Sequence, residues 1–107
     1  MKRGDILLHK FKEPDKERPV LIITRDEAIQ KLNSITVIRA TTTIRNIDSQ
    51  VYLSEDDGIP DPCVLNVDWI QTVPKSKLGK RITTVSNERM AEVFAAIRFA
   101  FGFDNDN

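Results

Sequence analysis

The sequence predicts a mostly β domain of the α+β kind: a small antiparallel β-barrel with a short internal helix and an amphipathic C-terminal helix. Three observations carry this prediction. Short β-branched, apolar runs recur along the chain, separated by Gly, Pro and charged turns. One of them, Val20-Leu21-Ile22-Ile23-Thr24, is apolar without alternation, as in a strand buried on both faces. The last stretch, residues 86–101, changes to helical spacing.

The elements follow in order. Ile6-Leu7-Leu8 after Gly4-Asp5 reads as a first strand. Residues 10–19 are charged and punctuated by Pro14 and Pro19, which predicts a loop. After the strand at 20–24, Asp26 is placed to cap a short helix to about Leu32, with Ile29 and Leu32 on one face. Residues 35–41 are β-branched enough for a strand, and Thr42 to Asn46 lead into a polar turn. Ile47 to Leu53 resumes a strand, with Val51 and Leu53 on one face and Tyr52 on the other. The acidic stretch 54–62, with Gly58, Pro60 and Pro62, is a loop. Cys63–Val67 and Ile70–Val73 read as two short strands around Asp68-Trp69. Residues 75–79 form a turn, and Arg81–Val85 a last strand. Ser86 caps the final helix, Glu88 suits the dipole in its first turn, and Met90, Val93, Phe94, Ile97 and Phe101 form its apolar stripe. Gly102 stops it. A barrel this small keeps an open edge or end, and a packed helix covers one.

Composition narrows the function. The chain has 107 residues, the size of one domain, and its 16 basic and 16 acidic side chains cancel. Zero net charge argues against coating nucleic acid by bulk charge. The basic stretch 75–81 can still form a local groove. No apolar run reaches the ~20 residues of a membrane span, and no signal-peptide pattern opens the chain, so the expected location is the cytoplasm. Cys63 is the only cysteine and His9 the only histidine. A disulfide, a two-histidine acid–base pair and a Cys/His zinc site are therefore all out of reach of one chain. No glycine-rich phosphate loop and no Gly-x-Ser-x-Gly occurs. Cys63 lacks an activating base and reads as a buried structural thiol. His9 reads as a strand residue rather than a catalyst. Glu55-Asp56-Asp57 lack the spacing of a calcium loop and read as a solvated turn.

Two places can carry chemistry. Pro19 holds Arg18 extended at the mouth of the most apolar strand, where a guanidinium fork can clamp a phosphate. The alternative is a surface arginine paired with Glu17 or Asp15. Residues 39–45, Arg-Ala-Thr-Thr-Thr-Ile-Arg, put three hydroxyls between two arginines at a strand end, suited to phosphate and sugar oxygens. The alternative is that Thr is common in strands.

Together these segments resemble the MazF/PemK family of toxin ribonucleases. Arg3-Gly4-Asp5-Ile6-Leu7 is similar to the family's opening. Glu17-Arg18-Pro19-Val20-Leu21-Ile22-Ile23 resembles its Arg-Pro followed by an aliphatic strand, and Val37 to Thr43 the strand that ends in its active-site threonine. Cys63 to Val73 resembles its later hydrophobic strand, and Lys80-Arg81-Ile82-Thr83 and the closing helix fit as well. The match runs from about residue 3 to residue 102, so residues 1–107 form a single toxin-like domain.

The resemblance implies an SH3-like barrel and a homodimer that cuts single-stranded RNA at short sequences, with no metal or cofactor. It implies a cognate antitoxin that fills the RNA groove. Arg18 and Thr41 match the catalytic arginine and threonine, and Asp68 falls at a position that is acid or amide in the family. Thr43, Arg45, Lys80 and Arg81 are candidates for RNA backbone contacts, and Trp69 for base stacking. Asp68 is expected as a partly buried carboxylate base. The loop before Arg-Pro departs from the family, being shorter and lacking its Ser-Glu-Gln, so base preference does not transfer. The alternative on the same fold is a CcdB-like, gyrase-poisoning toxin that is not an enzyme. Phe99, Phe101 and Phe103 are expected to pack on the barrel or on a partner.

Overall fold

The computed structural model describes residues 1–10 and 17–103. Its strands are β1 (Asp5–Lys10), β2 (Glu17–Ile22), β3 (Ser34–Thr41), β4 (Gln50–Leu53), β5 (Cys63–Pro74) and β6 (Leu78–Thr84). The helices are α1 (Asp26–Ile29) and α2 (Asn87–Ala100), with single 3-10 turns at Glu55–Asp57 and Lys75–Lys77. The strands make one curled antiparallel sheet in the order β4-β5-β3-β2-β1-β6, a half-barrel whose edges are β4 and β6.

Both faces of the sheet are apolar where they need to be. Ile6, Leu21, Ile38, Leu65 and Leu53 lie in one core cluster, with Met90, Val93 and Ala96 of α2 packed into it. Leu7, Val20, Ile22, Ile35, Val37 and Val73 form a second cluster with Ile29 of α1. Val20, Leu21 and Ile22 are fully buried, which is why their stretch shows no polar alternation.

α2 is closed at both ends as its sequence implies. Ser86 Oγ accepts from Arg89 N at 3.1 Å. At the far end Gly102 takes φ 75°, Gly102 N donates to Phe99 O, and Phe103 N to Arg98 O. That is the paired arrangement in which a left-handed glycine satisfies the last carbonyls.

Several expectations are corrected. Asp26 is not a side-chain cap: Arg25 holds the cap position, and the Asp26 carboxylate accepts from Arg3 N at 2.7 Å instead. α1 stops at Ile29, and Leu32 is exposed because the chain turns out toward β3. The two expected strands around Asp68-Trp69 are one strand, β5, with its pairing broken there. Ile38 faces Ile70 but Ala40 faces Leu65, so Asn66–Trp69 bulge opposite Arg39 alone. β4 begins at Gln50, since Ile47 is exposed in a turn, although Val51 and Leu53 are buried and Tyr52 exposed as expected. Of the loop expected at 10–19, residues 11–16 lie outside the described residues, and Lys10 and Glu17–Pro19 are strand. Asp57 is no solvated residue: it binds Arg89 Nε at 3.0 Å, while Glu55 and Asp56 are exposed. Of the two places expected for Phe99, Phe101 and Phe103, the barrel is not one: all three are exposed, with the Phe101 and Phe103 ring centroids 6.0 Å apart, which leaves the expectation of a partner.

Candidate active site

Pro19 shapes the site. It has no N–H to give to a neighbouring strand. The pairing of β2 with β3 runs Ile22↔Val37, Leu21↔Ile38, Val20↔Arg39 and ends one residue before Pro19. On its other side β2 keeps its partner, since Leu8 faces Pro19 and His9 faces Arg18 on β1. The ends of β2 and β3 are thus free of each other.

Continuing the register two residues past Val20↔Arg39 sets Arg18 opposite Thr41. Residues so placed share one face of the sheet. Both residues line one pocket of about 230 Å³, closed by the loop at Ile59–Asp61, Cys63 of β5 and Ile82 of β6. Two residues far apart in the sequence are thereby brought to one place. Arg18 is exposed and makes no ion pair among the described residues, so its fork is open to an anion. The expected alternative of a pair with Glu17 is not what the structure shows; Asp15 lies outside the described residues. Thr41 Oγ1 accepts from Thr43 N at 3.2 Å, which turns the chain at the strand end and leaves the hydroxyl proton available to donate.

The same row continues across the sheet. Leu78 faces His9 on one side of Arg18, and Val64 then Tyr52 follow Thr41 on the other. His9 is buried within this row. Burial first, then the Arg39 and Lys77 charges, hold its pKa below the ordinary 6.5, so it is neutral at pH 7. The sequence marks Arg39 as a flank of the threonine run but not Tyr52; only strand pairing shows that both share a face with Arg18. Arg39 lies over the Trp69 ring, 4.1 Å from its centroid, a cation–π contact on the bulge. Trp69 is exposed, with part of its ring open to solvent.

Asp68 is not found as the partly buried carboxylate expected. It is exposed on the bulge, its N–H donates to Asn66 Oδ1 at 3.1 Å, and it does not line the pocket. Thr43 and Arg45 are exposed in the loop after β3, pinned by Gln50, whose side chain accepts from Arg45 N at 2.8 Å and donates to Thr43 O at 3.1 Å. Lys80 and Arg81 are not gathered at the pocket. They lie on edge strand β6, where Arg81 donates to Thr84 Oγ1 at 3.0 Å and borders a separate groove beside Lys2 and Asp5.

Cys63 at the pocket is a buried thiol, with burial and then Asp57 pushing its pKa up, so it is protonated and unreactive. No group of three His, Cys, Asp or Glu side chains placed to hold a metal ion occurs among the described residues. None of the described helices is long and apolar enough to cross a membrane.

Known proteins are similar to this chain in sequence and fold. The chain is 36% identical over 90 residues to the endoribonuclease MazF3 of Mycobacterium tuberculosis, covering 84% of this chain and 87% of that one. It is 32% identical over 103 residues to the probable endoribonuclease MazF2 of the same organism, covering 95% and 99%. Its fold superposes on the Mycobacterium tuberculosis toxin MazF-mt6 with a TM-score of 0.84 and 33% identity, covering 92% of this chain and 96% of that one. Residues 2–101 match the family model of the PemK-like, MazF-like toxins. This chain therefore belongs to the PemK-like, MazF-like toxin family of type II toxin–antitoxin systems.

Proposed function

We propose that this protein is an endoribonuclease toxin that cuts single-stranded RNA at short sequences, without a metal ion, by attack of a ribose 2′-hydroxyl on the adjacent phosphorus. The observation that carries the reading is the convergence of Arg18 and Thr41 on one pocket, within a fold whose relatives are named endoribonucleases. The same relatives favour it over a gyrase-poisoning toxin.

The attack puts extra negative charge on phosphorus, breaks the bond to the 5′-oxygen, which takes a proton from water and leaves as a 5′-hydroxyl, and forms a 2′,3′-cyclic phosphate. Arg18 opposes that charge through its fixed cation, the kind of electrostatic stabilisation that usually contributes most to catalysis. Its pKa is too high for a ready proton donor, so its role is electrostatic. The Thr41 hydroxyl donates to a phosphate oxygen and holds it for in-line displacement. Asp68, on the bulge outside the pocket, takes the 2′-hydroxyl proton through a water. Trp69 over Arg39 offers a stacking plane for an unpaired base. Thr43, Arg45, Lys80 and Arg81 contact the RNA backbone away from the cut.

The protein works as a homodimer in the cytoplasm, its groove blocked by a cognate antitoxin until that partner is lost. The test is cleavage of total RNA by purified protein in EDTA, with the ends of the products analysed. Cutting that leaves 2′,3′-cyclic phosphate and 5′-hydroxyl ends is expected. Linear 3′-phosphate made without a cyclic intermediate, or a requirement for added metal, would remove the mechanism. DNA supercoiling by gyrase is expected to proceed unhindered.

A further inference from the structure

The pocket beside Arg18 and Thr41 holds more than a phosphate needs. Pro19, Ala40, Ile59, Pro60 and Ile82 give it apolar walls, and Asp61 is the one carboxylate among its residues. An apolar cavity of about 150 Å³ admits a benzene ring. The volume here, about 230 Å³, is larger and suits a fused bicyclic base. Asp61 is exposed and makes no hydrogen bond or ion pair among the described residues, so its two oxygens are uncommitted. It has no role in holding the loop that a ligand would disturb.

We infer that this slot reads the base next to the cleaved phosphate, accepting guanine foremost and turning away uracil; the inference rests on the ribonuclease reading for the phosphate's place. A carboxylate only accepts hydrogen bonds when ionised. Guanine presents two adjacent donors, N1–H and N2–H, that match the two oxygens of Asp61. Cytosine and adenine present an amine beside a ring acceptor, and so make one bond at most. Uracil presents one N–H between two carbonyl oxygens, which the carboxylate repels. Single-stranded RNA leaves these base edges open to be read in this way. The apolar lining supplies contact to the base ring, and the neutral Cys63 thiol adds no competing charge.

Two measurements test this with the whole protein. The first is titration with guanosine 3′-monophosphate and uridine 3′-monophosphate, which reads the slot without cleavage. A bidentate pair gives about fivefold discrimination or more, so the guanine nucleotide is expected to bind at least that much tighter. Asp61→Asn keeps one acceptor and gains a donor, and is expected to erase the difference. The second is sequencing of the cut sites in a random RNA pool. Guanine is expected at one position flanking the cut, and its enrichment is expected to fall about fivefold or more in Asp61→Asn. Equal binding of the two nucleotides, or a guanine preference unchanged in Asp61→Asn, would overturn the inference. Protein that cuts no RNA but keeps the nucleotide preference loses the ribonuclease reading and leaves the slot standing. Cutting with no guanine preference does the reverse.

Discussion

His9 and Trp69 show how single residues respond to the site's charge. His9 is held neutral by burial and by Arg39 and Lys77. Its folded pKa is below its unfolded one, so its neutral form costs nothing above pH 6.5. As pH falls through that value the unfolded chain gains a proton that the folded chain refuses, and stability drops until the lowered pKa is reached. Melting temperature is therefore expected to fall between pH 7 and pH 5, and to fall less in His9→Gln; equal slopes would contradict the account. Trp69 makes a different prediction. Base stacking is worth ~1–3 kcal/mol, so Trp69→Ala should weaken binding of a non-cleavable 2′-deoxy oligonucleotide about five- to a hundredfold. Trp69→Phe should keep part of that affinity. Unchanged binding in both variants would leave Trp69 as no more than a support for Arg39. The sequence marked Arg18, Thr41, Trp69 and Arg39 by type and neighbourhood, whereas Tyr52 was hidden, because its place beside the site comes from strand pairing across distant residues.

At the scale of elements, the loop between β4 and β5 is locked to α2 and helps wall the pocket. Arg89 reaches both Asp57 and Glu92, and Thr83 Oγ1 donates to Asp57 O at 3.0 Å. Gly58 makes the turn possible with φ 86°, where a Cβ would stand 2.9 Å from Thr83 Cβ and closer still to its hydroxyl oxygen. Gly58→Ala combines left-handed strain with that collision, and about 2–3 kcal/mol of destabilisation is expected from urea unfolding. A loss under about 0.5 kcal/mol, the size of an ordinary surface change, would show that the loop yields. α2 was legible because cap, stripe and stop all agree locally in one segment. The β5 bulge was not. Polar Asp68 within an apolar run looks the same whether the strand ends or only its pairing slips, and the difference lies in Ile38 and Ala40 of β3. α1 was overextended for a related reason: Leu32 fits the helical stripe, but β3 starts too soon for another turn.

Across the whole molecule, the sheet divides its labour. One face carries the α2 core. The other is apolar over α1 and turns polar at the row of His9, Arg18 and Thr41. The apolar half of that design is written in the β-branched runs. The functional half depends on one proline ending one ladder, so it was readable as a motif resemblance but not as a pattern of burial. The central claim is that the Arg18–Thr41 pair performs RNA cleavage. The most direct measurement is the rate of RNA cutting by wild type, Arg18→Ala and Thr41→Ala, each shown to be folded by its melting curve. Loss of transition-state charge stabilisation predicts a fall of about a hundredfold or more for Arg18→Ala, and a clear fall for Thr41→Ala, with melting temperatures near wild type. Cutting at the wild-type rate by both folded variants would contradict the account.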